Sequence, residues 1–316
     1  MKLYRNPSDL GTDAQGGAVV IGNFDGVHRG HQALIDAAKG LVEDAPVGVL
    51  SFEPHPRQFF KPDTPPFRLT LFRQKARLLQ RAGVGHFLVR GFNQDLANQS
   101  AEQFVEEHLL QGFRARHVVV GADFKFGKGR TGNPNLLAKM MAEAGGEVTV
   151  LGAVGDEVGT LSSSRVRDAL IEGDVAEAAS ILGRPFDLGG MVQKGAQRGR
   201  TMEFPTANIS LDEALQRPAY GVYAVTAAVS SDSIEADEPE HWWQGVANFG
   251  KRPTVDGVQE LLEVHLFDVQ PDLYDSYLRV QLHHFIRPEQ KFDGVEALKR
   301  QIELDAAAAK TELSKV

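Results

Sequence analysis

Val19-Val20-Ile21-Gly22-Asn23-Phe24-Asp25-Gly26-Val27-His28-Arg29-Gly30-His31 sets the architecture of the first half of this chain. It opens on a short run of β-branched residues, the pattern of a strand buried on both faces. Gly22 and Gly26 break the run, so the backbone can turn sharply there. Beyond them, His31-Gln32-Ala33-Leu34-Ile35-Asp36-Ala37-Ala38-Lys39 carries apolar residues at helical spacing. A strand, a glycine turn and a helix together aim free backbone N–H groups and a positive helix end at an anion, most often phosphate.

His28 and His31 are three residues apart, so both can face one ligand at the first helical turn. Two imidazoles there can hydrogen-bond a nucleotide's phosphates and stabilise the charge that grows as pyrophosphate leaves. The alternatives are a metal pair or two surface histidines. A metal would need a third ligand, and neither a cysteine nor a nearby carboxylate cluster offers one. The wider pattern, Gly-x-Phe-Asp-x-x-His-x-Gly-His, resembles the signature of adenylyltransferases that join a mononucleotide to ATP, and Asn23, Phe24 and Asp25 lie within it.

With 316 residues, the chain has room for two domains, each with its own core. No apolar run is long enough to span a bilayer, and Met-Lys-Leu-Tyr-Arg-Asn-Pro at the start lacks the apolar segment of a signal peptide. The absence of cysteine removes disulfides and thiolate metal sites and fits a reducing cytoplasm. A net charge of −8 argues against nucleic acid as a partner, while a small anionic substrate needs only a local positive pocket.

Around the opening motif, strand candidates Val47–Phe52, His86–Arg90, His117–Val120 and Glu147–Leu151 alternate with helical stretches Leu71–Arg81, Ser100–Leu110 and Asn135–Ala144. That alternation predicts a parallel sheet with helices on both faces and ligands at the strands' carboxyl ends. Two such ends stand out. Ser51-Phe52-Glu53-Pro54-His55-Pro56, stiffened by two prolines, reads either as a binding loop or as a rigid turn with a surface histidine, the turn being the expectation for His55. Gly121 to Gly132 mixes glycine, basic residues, Phe124 and Phe126, which suits a loop over a phosphate-bearing aromatic ligand. Leu161-Ser162-Ser163-Ser164-Arg165-Val166-Arg167 places two arginines in a helix's first turn, where acids are preferred, and a bound phosphate would resolve the conflict. It resembles a second adenylyltransferase signature, Ile-Ser-Ser-Thr-x-x-Arg, with Ser164 at the Thr position and Arg167 at the arginine.

After a helical linker, Ser164 to Leu182, helical periodicity nearly vanishes. Runs at Tyr220–Ala228, Gly245–Phe249, Leu261–Asp268 and Tyr277–Phe285 predict an antiparallel sandwich or barrel, closed by a helix over Gly294–Leu304 with Val295, Leu298 and Ile302 on one face. Gly189 to Arg200 reads as a glycine-spaced basic loop able to wrap a polyphosphate, though it lacks the Gly-Lys-Ser/Thr of a Walker A loop. In Phe204-Pro205-Thr206-Ala207-Asn208, a hydroxyl and an amide oxygen two residues apart would point the same way from extended chain, a hard-oxygen site for Mg²⁺ or a plain turn. Glu263 shares a strand face with Leu261, His265 and Phe267; it is either a base for a hydroxyl attacking ATP or a solvent-facing position.

Together these motifs resemble the bacterial bifunctional riboflavin kinase/FMN adenylyltransferases over nearly the whole chain. The resemblance implies a Rossmann-like α/β nucleotidyltransferase domain (residues 1–182) followed by an antiparallel β-barrel kinase domain with a closing helix (residues 183–316). It implies that riboflavin takes the γ-phosphate of ATP to give FMN, and that FMN then takes an adenylyl group from a second ATP to give FAD and pyrophosphate. On this resemblance His28 and His31 contact ATP phosphates and Ser164 and Arg167 complete that pocket. Lys194, Gly195 and Arg200 bind nucleotide, Thr206 and Asn208 hold Mg²⁺ and ATP, and Glu263 is the base. Phe124, Phe126 and Arg287 lie near flavin. Two positions depart from the family, Glu203 and Asp275, where glycine is usual; they lead to the expectation of a slower kinase. The rival expectations are an adenylyltransferase with weakened or lost kinase, one for a nicotinamide or pantetheine nucleotide, and a flavin or nucleotide sensor without turnover.

Overall fold

A computed structural model describes every residue except 43–44, 194–203, 232, 234–237, 255–256, 270, 272 and 316. The chain divides into two compact units, Met1–Pro65 with Thr70–Ser162, and Pro66–Leu69 with Ser163–Val316.

The first unit is a parallel sheet of β1 (Lys2–Tyr4), β2 (Ala18–Ile21), β3 (Val47–Glu53), β4 (His86–Gly91), β5 (His117–Gly121) and β6 (Glu147–Leu151), in the order β1-β4-β3-β2-β5-β6. The strand β1 pairs with β4 and is too short, at three residues, to show a period in the sequence. Helices α1 (Arg29–Gly40), α2 (Pro56–Phe60), α3 (Phe72–Arg81), α4 (Gln94–Asn98), α5 (Ala101–Phe104) and α6 (Pro134–Glu143) connect the strands. On one face Val19, Ile21, Leu50, Leu88, Val118 and Val120 pack under Phe104, Leu109, Leu137 and Met141. On the other, Phe87 stacks on Phe72 of α3, so helices cover both faces as predicted. The chain leaves β2 toward β3 and returns to its far side as β5. The crevice beyond the carboxyl end of β2 is therefore the switch point where ligands gather in such sheets.

α5 continues as a π-helix over Val105–Gly112, with His108 fully buried in it. The Arg90 Nε–H donates to His108 Nε2 at 3.0 Å, so the ring's one proton sits on Nδ1, 3.0 Å from the Phe104 carbonyl. Burial holds this imidazole neutral and pushes its pKa down to about 4.

In the second unit, α7 (Ser163–Glu172) and α8 (Val175–Leu182) precede a closed barrel in the order β10-β11-β8-β7-β12-β9. Its strands are β7 (Phe186–Gln193), β8 (Ala207–Ile209), β9 (Gly221–Ser230), β10 (Trp243–Thr254), β11 (Gly257–Leu266) and β12 (Tyr277–Pro288). The expected linker helix is two helices, parted at Gly173, where φ is +82°. The expected loop from Gly189 begins instead inside β7. A Cβ at Gly189 would meet the Tyr277 hydroxyl at 2.6 Å, and one at Gly190 would meet the Ser210 carbonyl at 2.7 Å, so both glycines serve close strand packing. The rest of that loop, with Lys194, Gly195 and Arg200, lies outside the described residues, as does Glu203.

The closing helix α9 runs over Val295–Leu313, nine residues past the predicted end. Its packed face is also different: Val295 is exposed, while Ala309 and Leu313 join Val222, Ala224, Val246 and Phe267. Asp305, buried on this helix, receives Arg287 Nε at 2.8 Å and Nη2 at 2.6 Å, a bidentate clamp that fixes the helix on β12.

Between its ordinary value near 6.5 and about 4, His108 takes up a proton when the chain is unfolded but not when it is folded. Stability is therefore complete above that window and falls as pH drops through it, by ~3 kcal/mol in all. A His108→Asn protein, less stable at pH 7, should lose less Tm between pH 7 and pH 5 than the parent, as followed by thermal melts. Asp275 holds φ at +59°, a left-handed conformation that costs a non-glycine residue ~1 kcal/mol. Asp275→Gly should accordingly leave stability unchanged or raise it, as read from denaturant midpoints.

Candidate active sites

At the carboxyl end of β2 the chain enters a tight loop in which Phe24, Gly26 and Val27 all have positive φ, at 52°, 84° and 43°. Such angles on Phe and a β-branched Val cost ~1–3 kcal/mol each and persist only where the surroundings enforce them. The enforcement is visible. Asp25 is buried and its carboxylate accepts from the Thr70 N–H at 3.1 Å, while the Thr70 hydroxyl accepts from the Gly26 N–H at 3.0 Å. Asn23 turns its carbonyl to Ser51 Oγ and Lys75 Nζ, both at 3.2 Å. Phe24 is fully buried against the His31 ring, with centroids 5.1 Å apart. Of the predicted nucleotide-binding trio, only Asn23 has an exposed side chain; Phe24 and Asp25 face inward and shape the loop.

His28 is the N-cap of α1, and its Nδ1 accepts the His31 backbone N–H at 3.3 Å. This fixes the proton on Nε2, which becomes the ring's donor. The His28 and His31 rings stack with centroids 3.6 Å apart, so the structure brings the predicted pair together. Burial, with smaller contributions from His28 and Lys75, holds His31 well below the usual histidine range, hence neutral. The first turn of α1 contains no acid, leaving its positive end uncompensated.

Lys75 is the residue that sequence reasoning missed. It is fully buried, and its ammonium reaches Glu53 Oε1 at 2.7 Å as well as the Asn23 carbonyl. The signal was present: Lys75 occupies the apolar stripe of α3 beside Ala76 and Leu79.

At the ends of β3, β4 and β5, aromatic rings form a chain from Phe60 through Phe92, Phe52 and Phe104 to Phe126 and Phe124, with neighbouring centroids 5.2–6.2 Å apart. Phe126 is buried and backs Phe124, which is half-buried and stacks on it at 18°. Phe60, not singled out from the sequence, is exposed. His55 caps α2 by accepting the Arg57 N–H, as a rigid turn requires.

Ser164 and Arg167 belong to the second unit. Ser164 is exposed. Arg167 donates from Nε to the Phe67 carbonyl at 2.7 Å and Arg165 pairs with Glu177, so the two arginines at the start of α7 have partners within the fold.

In the barrel, strand register gathers a polar row. Glu263 on β11 lies opposite Asn208 on β8 and Asn248 on β10, and Asn208 lies opposite Gln193 on β7. Thr206, just before β8 begins, is exposed. Arg252 holds both Glu263 oxygens, at 3.3 and 2.7 Å, and donates to Glu289 Oε1 at 3.1 Å. Asn248 also donates to Glu289, whose carboxylate fills the space beside Gly250 that a Cβ would need. Arg287, expected near flavin, is committed to Asp305 through both Nε and Nη2.

A family model described as FAD synthetase matches residues 11–165, and one described as riboflavin kinase matches residues 182–313. Among curated proteins, the bifunctional riboflavin kinase/FMN adenylyltransferase of Escherichia coli K12 is 41% identical, with 98% of this chain and 97% of that protein covered. The Bacillus subtilis protein of the same description is 34% identical over 96% of this chain and 95% of its own. A crystal structure described as a macrolide-efflux protein from Streptococcus pneumoniae superposes with a TM-score of 0.86 at 31% identity, covering 98% of both chains. Among the described residues here, no helix is long and apolar enough to cross a membrane.

Removing one partner of a buried ion pair strands the other charge at a cost of ~3–5 kcal/mol. Lys75→Met should show such a loss in denaturant unfolding. The Lys75→Met/Glu53→Gln double variant should lose less than the sum of the single losses, with a coupling of at least ~1 kcal/mol. Additive losses would mean that the pair is not coupled.

Proposed function

This chain belongs to the bifunctional riboflavin kinase/FMN adenylyltransferase family, and from that premise we propose how its residues divide the two reactions it carries out. The chain phosphorylates riboflavin with ATP to give FMN, and joins FMN to the adenylyl group of a second ATP to give FAD and pyrophosphate. The observation that carries the assignment is the stacked pair His28 and His31, the latter held neutral by burial, at an acid-free helix start beyond β2.

In the adenylyl transfer, a phosphate oxygen of FMN attacks the α-phosphorus of ATP, and the bond from that phosphorus to the bridging oxygen of pyrophosphate breaks. His28 donates from Nε2 to the departing phosphates, and neutral His31 hydrogen-bonds beside it. The amides of α1's first turn add fixed dipoles to the same end. The inward residues Phe24, Asp25, Thr70 and Lys75 hold these groups in place. Phe124 offers a ring face for the isoalloxazine, backed by Phe126, with Phe60 as a second exposed aromatic. Ser164 and Arg167 are proposed nucleotide contacts on the signature they resemble.

In the kinase, Glu263 takes the proton of riboflavin's terminal hydroxyl as that oxygen attacks the γ-phosphorus and ADP leaves. Arg252 aims the carboxylate. Among the described residues no three His, Asp or Glu side chains group as a metal site. The Thr206 hydroxyl and Asn208 amide oxygen, next to Glu263, are hard donors suited to Mg²⁺ that keeps phosphate oxygens as its other ligands. Bound there, Mg²⁺ would neutralise charge developing on the transferred phosphoryl group. Arg287 is proposed to lie near flavin, and Lys194, Gly195 and Arg200 to bind nucleotide. A cytoplasmic location, where ATP and riboflavin meet, is part of the same proposal.

One preparation assayed for both steps tests this. His31→Asn should lower conversion of FMN to FAD by ~100-fold or more while leaving riboflavin phosphorylation within about twofold, and Glu263→Gln should do the reverse. The parent protein should make FMN from riboflavin and MgATP more slowly than it makes FAD from FMN. No FMN at all would overturn the kinase assignment.

A further inference from the structure

His265 sits two residues beyond Glu263 on β11, and nothing in the two reactions yet employs it. Its Nδ1 lies 2.9 Å from the Pro205 carbonyl. A carbonyl only accepts, so Nδ1 carries the proton and donates it. The ring packs edge-on against Phe204, with centroids 5.2 Å apart at 65°, and against Phe267 at 6.0 Å. Its side chain therefore grips both residues that lead into Thr206-Ala207-Asn208.

The register explains why a grip is needed there. Ile209, Asn208 and Ala207 of β8 lie opposite Leu262, Glu263 and Val264. One step further along the same register, His265 falls opposite Thr206. The ladder stops at Ala207, however, so Pro205 and Thr206 have left it. Proline has no N–H to offer a neighbouring strand, and residue 206 is exposed. The imidazole replaces the missing ladder bond with a side-chain bond to the Pro205 carbonyl. Asn208 thus faces Glu263 within the ladder, while Thr206, just beyond its end, is approached only through the His265 bond to Pro205.

We propose that His265 is a positioning residue of the kinase, which holds the Phe204–Pro205 segment so that the Thr206 hydroxyl stays in line with Asn208 and Glu263. This rests on the assignment of those three residues to the phosphoryl-transfer site. His265 itself touches neither substrate nor metal. Without the bond to Pro205, Thr206 swings free of the Asn208–Glu263 row, and binding of MgATP suffers before the chemistry does.

The test uses the full chain, with FMN-to-FAD conversion as an internal control. His265→Phe keeps a ring of similar size and removes the donor; His265→Asn places an amide N–H where Nδ1 was. His265→Phe should raise the KM for MgATP in riboflavin phosphorylation by about tenfold, the scale of one hydrogen bond, with a smaller change in kcat. FAD formation should stay within about twofold. Without any ligand, amide hydrogen exchange over residues 204–209 should quicken by about the same factor. His265→Asn should recover most of both effects.

Unchanged kinase kinetics in His265→Phe would overturn the proposal, as would unchanged exchange, or no recovery in His265→Asn. A parallel loss of Tm and of both activities would instead mark His265 as a general structural residue, and would overturn it too. Thr206→Val and Glu263→Gln are measured alongside. If both retain full kinase activity, the site assignment has failed, whatever His265 does.

Discussion

A lysine ammonium with no exposed surface, held under the loop that follows the first central strand, is the constraint around which the first unit is built. Taking such a charge out of water costs several kcal/mol, and packing an apolar side chain there would usually be at least as stable. The charge therefore brings something other than stability. Lys75 spans three elements, reaching Glu53 at the end of β3, the Asn23 carbonyl at the end of β2, and Ser51 Oγ at 3.5 Å. Those bonds pin the point where the chain leaves the sheet. They also leave a positive charge close enough to disfavour a proton on His31. The strained angles at Phe24 and Val27 follow, because a loop tied at Asn23 and again at Asp25 has no room to relax.

The barrel meets the same need by other means. Its polar groups are aligned by strand register, which puts Asn248, Glu263, Asn208 and Gln193 in one row across four neighbouring strands. Arg252 and Glu289 then tie the outer end of the row. Because side chains alternate with a period of two, sliding β8 by one residue would turn Asn208 into the barrel wall and bring Ala207 or Ile209 out. The buried Ala207 and Ile209 on either side of half-buried Asn208 resist that slip. Hydrophobic burial thus sets the positions of the polar groups.

This division explains what could be read from the sequence alone. The parallel sheet was legible because four of its strands are continuous apolar runs between helical stretches, and the switch point followed from the motif at its carboxyl end. The pair His28 and His31 was legible because three residues of helix bring two side chains together, a purely local fact. Lys75 gives only a local hint, its place in the apolar stripe of α3, because the partners that explain its burial lie 22 and 52 residues away. Beyond Leu304 the alanine-rich, polar segment carries little apolar signal, so the period alone ends α9 too early. What extends it is a buried Asp305 answering Arg287 on a strand, a pairing that no period reveals. Gly189 and Gly190 suggest a loop in the sequence for the converse reason, as their smallness serves neighbours on other strands.

His108 shows why the same reasoning separates structural from reactive histidines. Six buried or half-buried histidines lie in the first unit; among them His31 and His108 are both depressed by burial. What differs is the fate of the ring nitrogens. In His108 both are used, one taking the Arg90 N–H and the other facing the Phe104 carbonyl, so no proton can be offered or accepted without breaking the fold. His31 Nδ1 is buried without a hydrogen-bond partner among the described residues, while the ring is held between Phe24 and His28. A buried polar atom left unpaired costs ~1–3 kcal/mol. The cost is tolerated where a ligand atom can meet it, and that unmet capacity at the end of β2, more than burial or a shifted pKa, sets His31 apart from His108, whose ring only supports a helix.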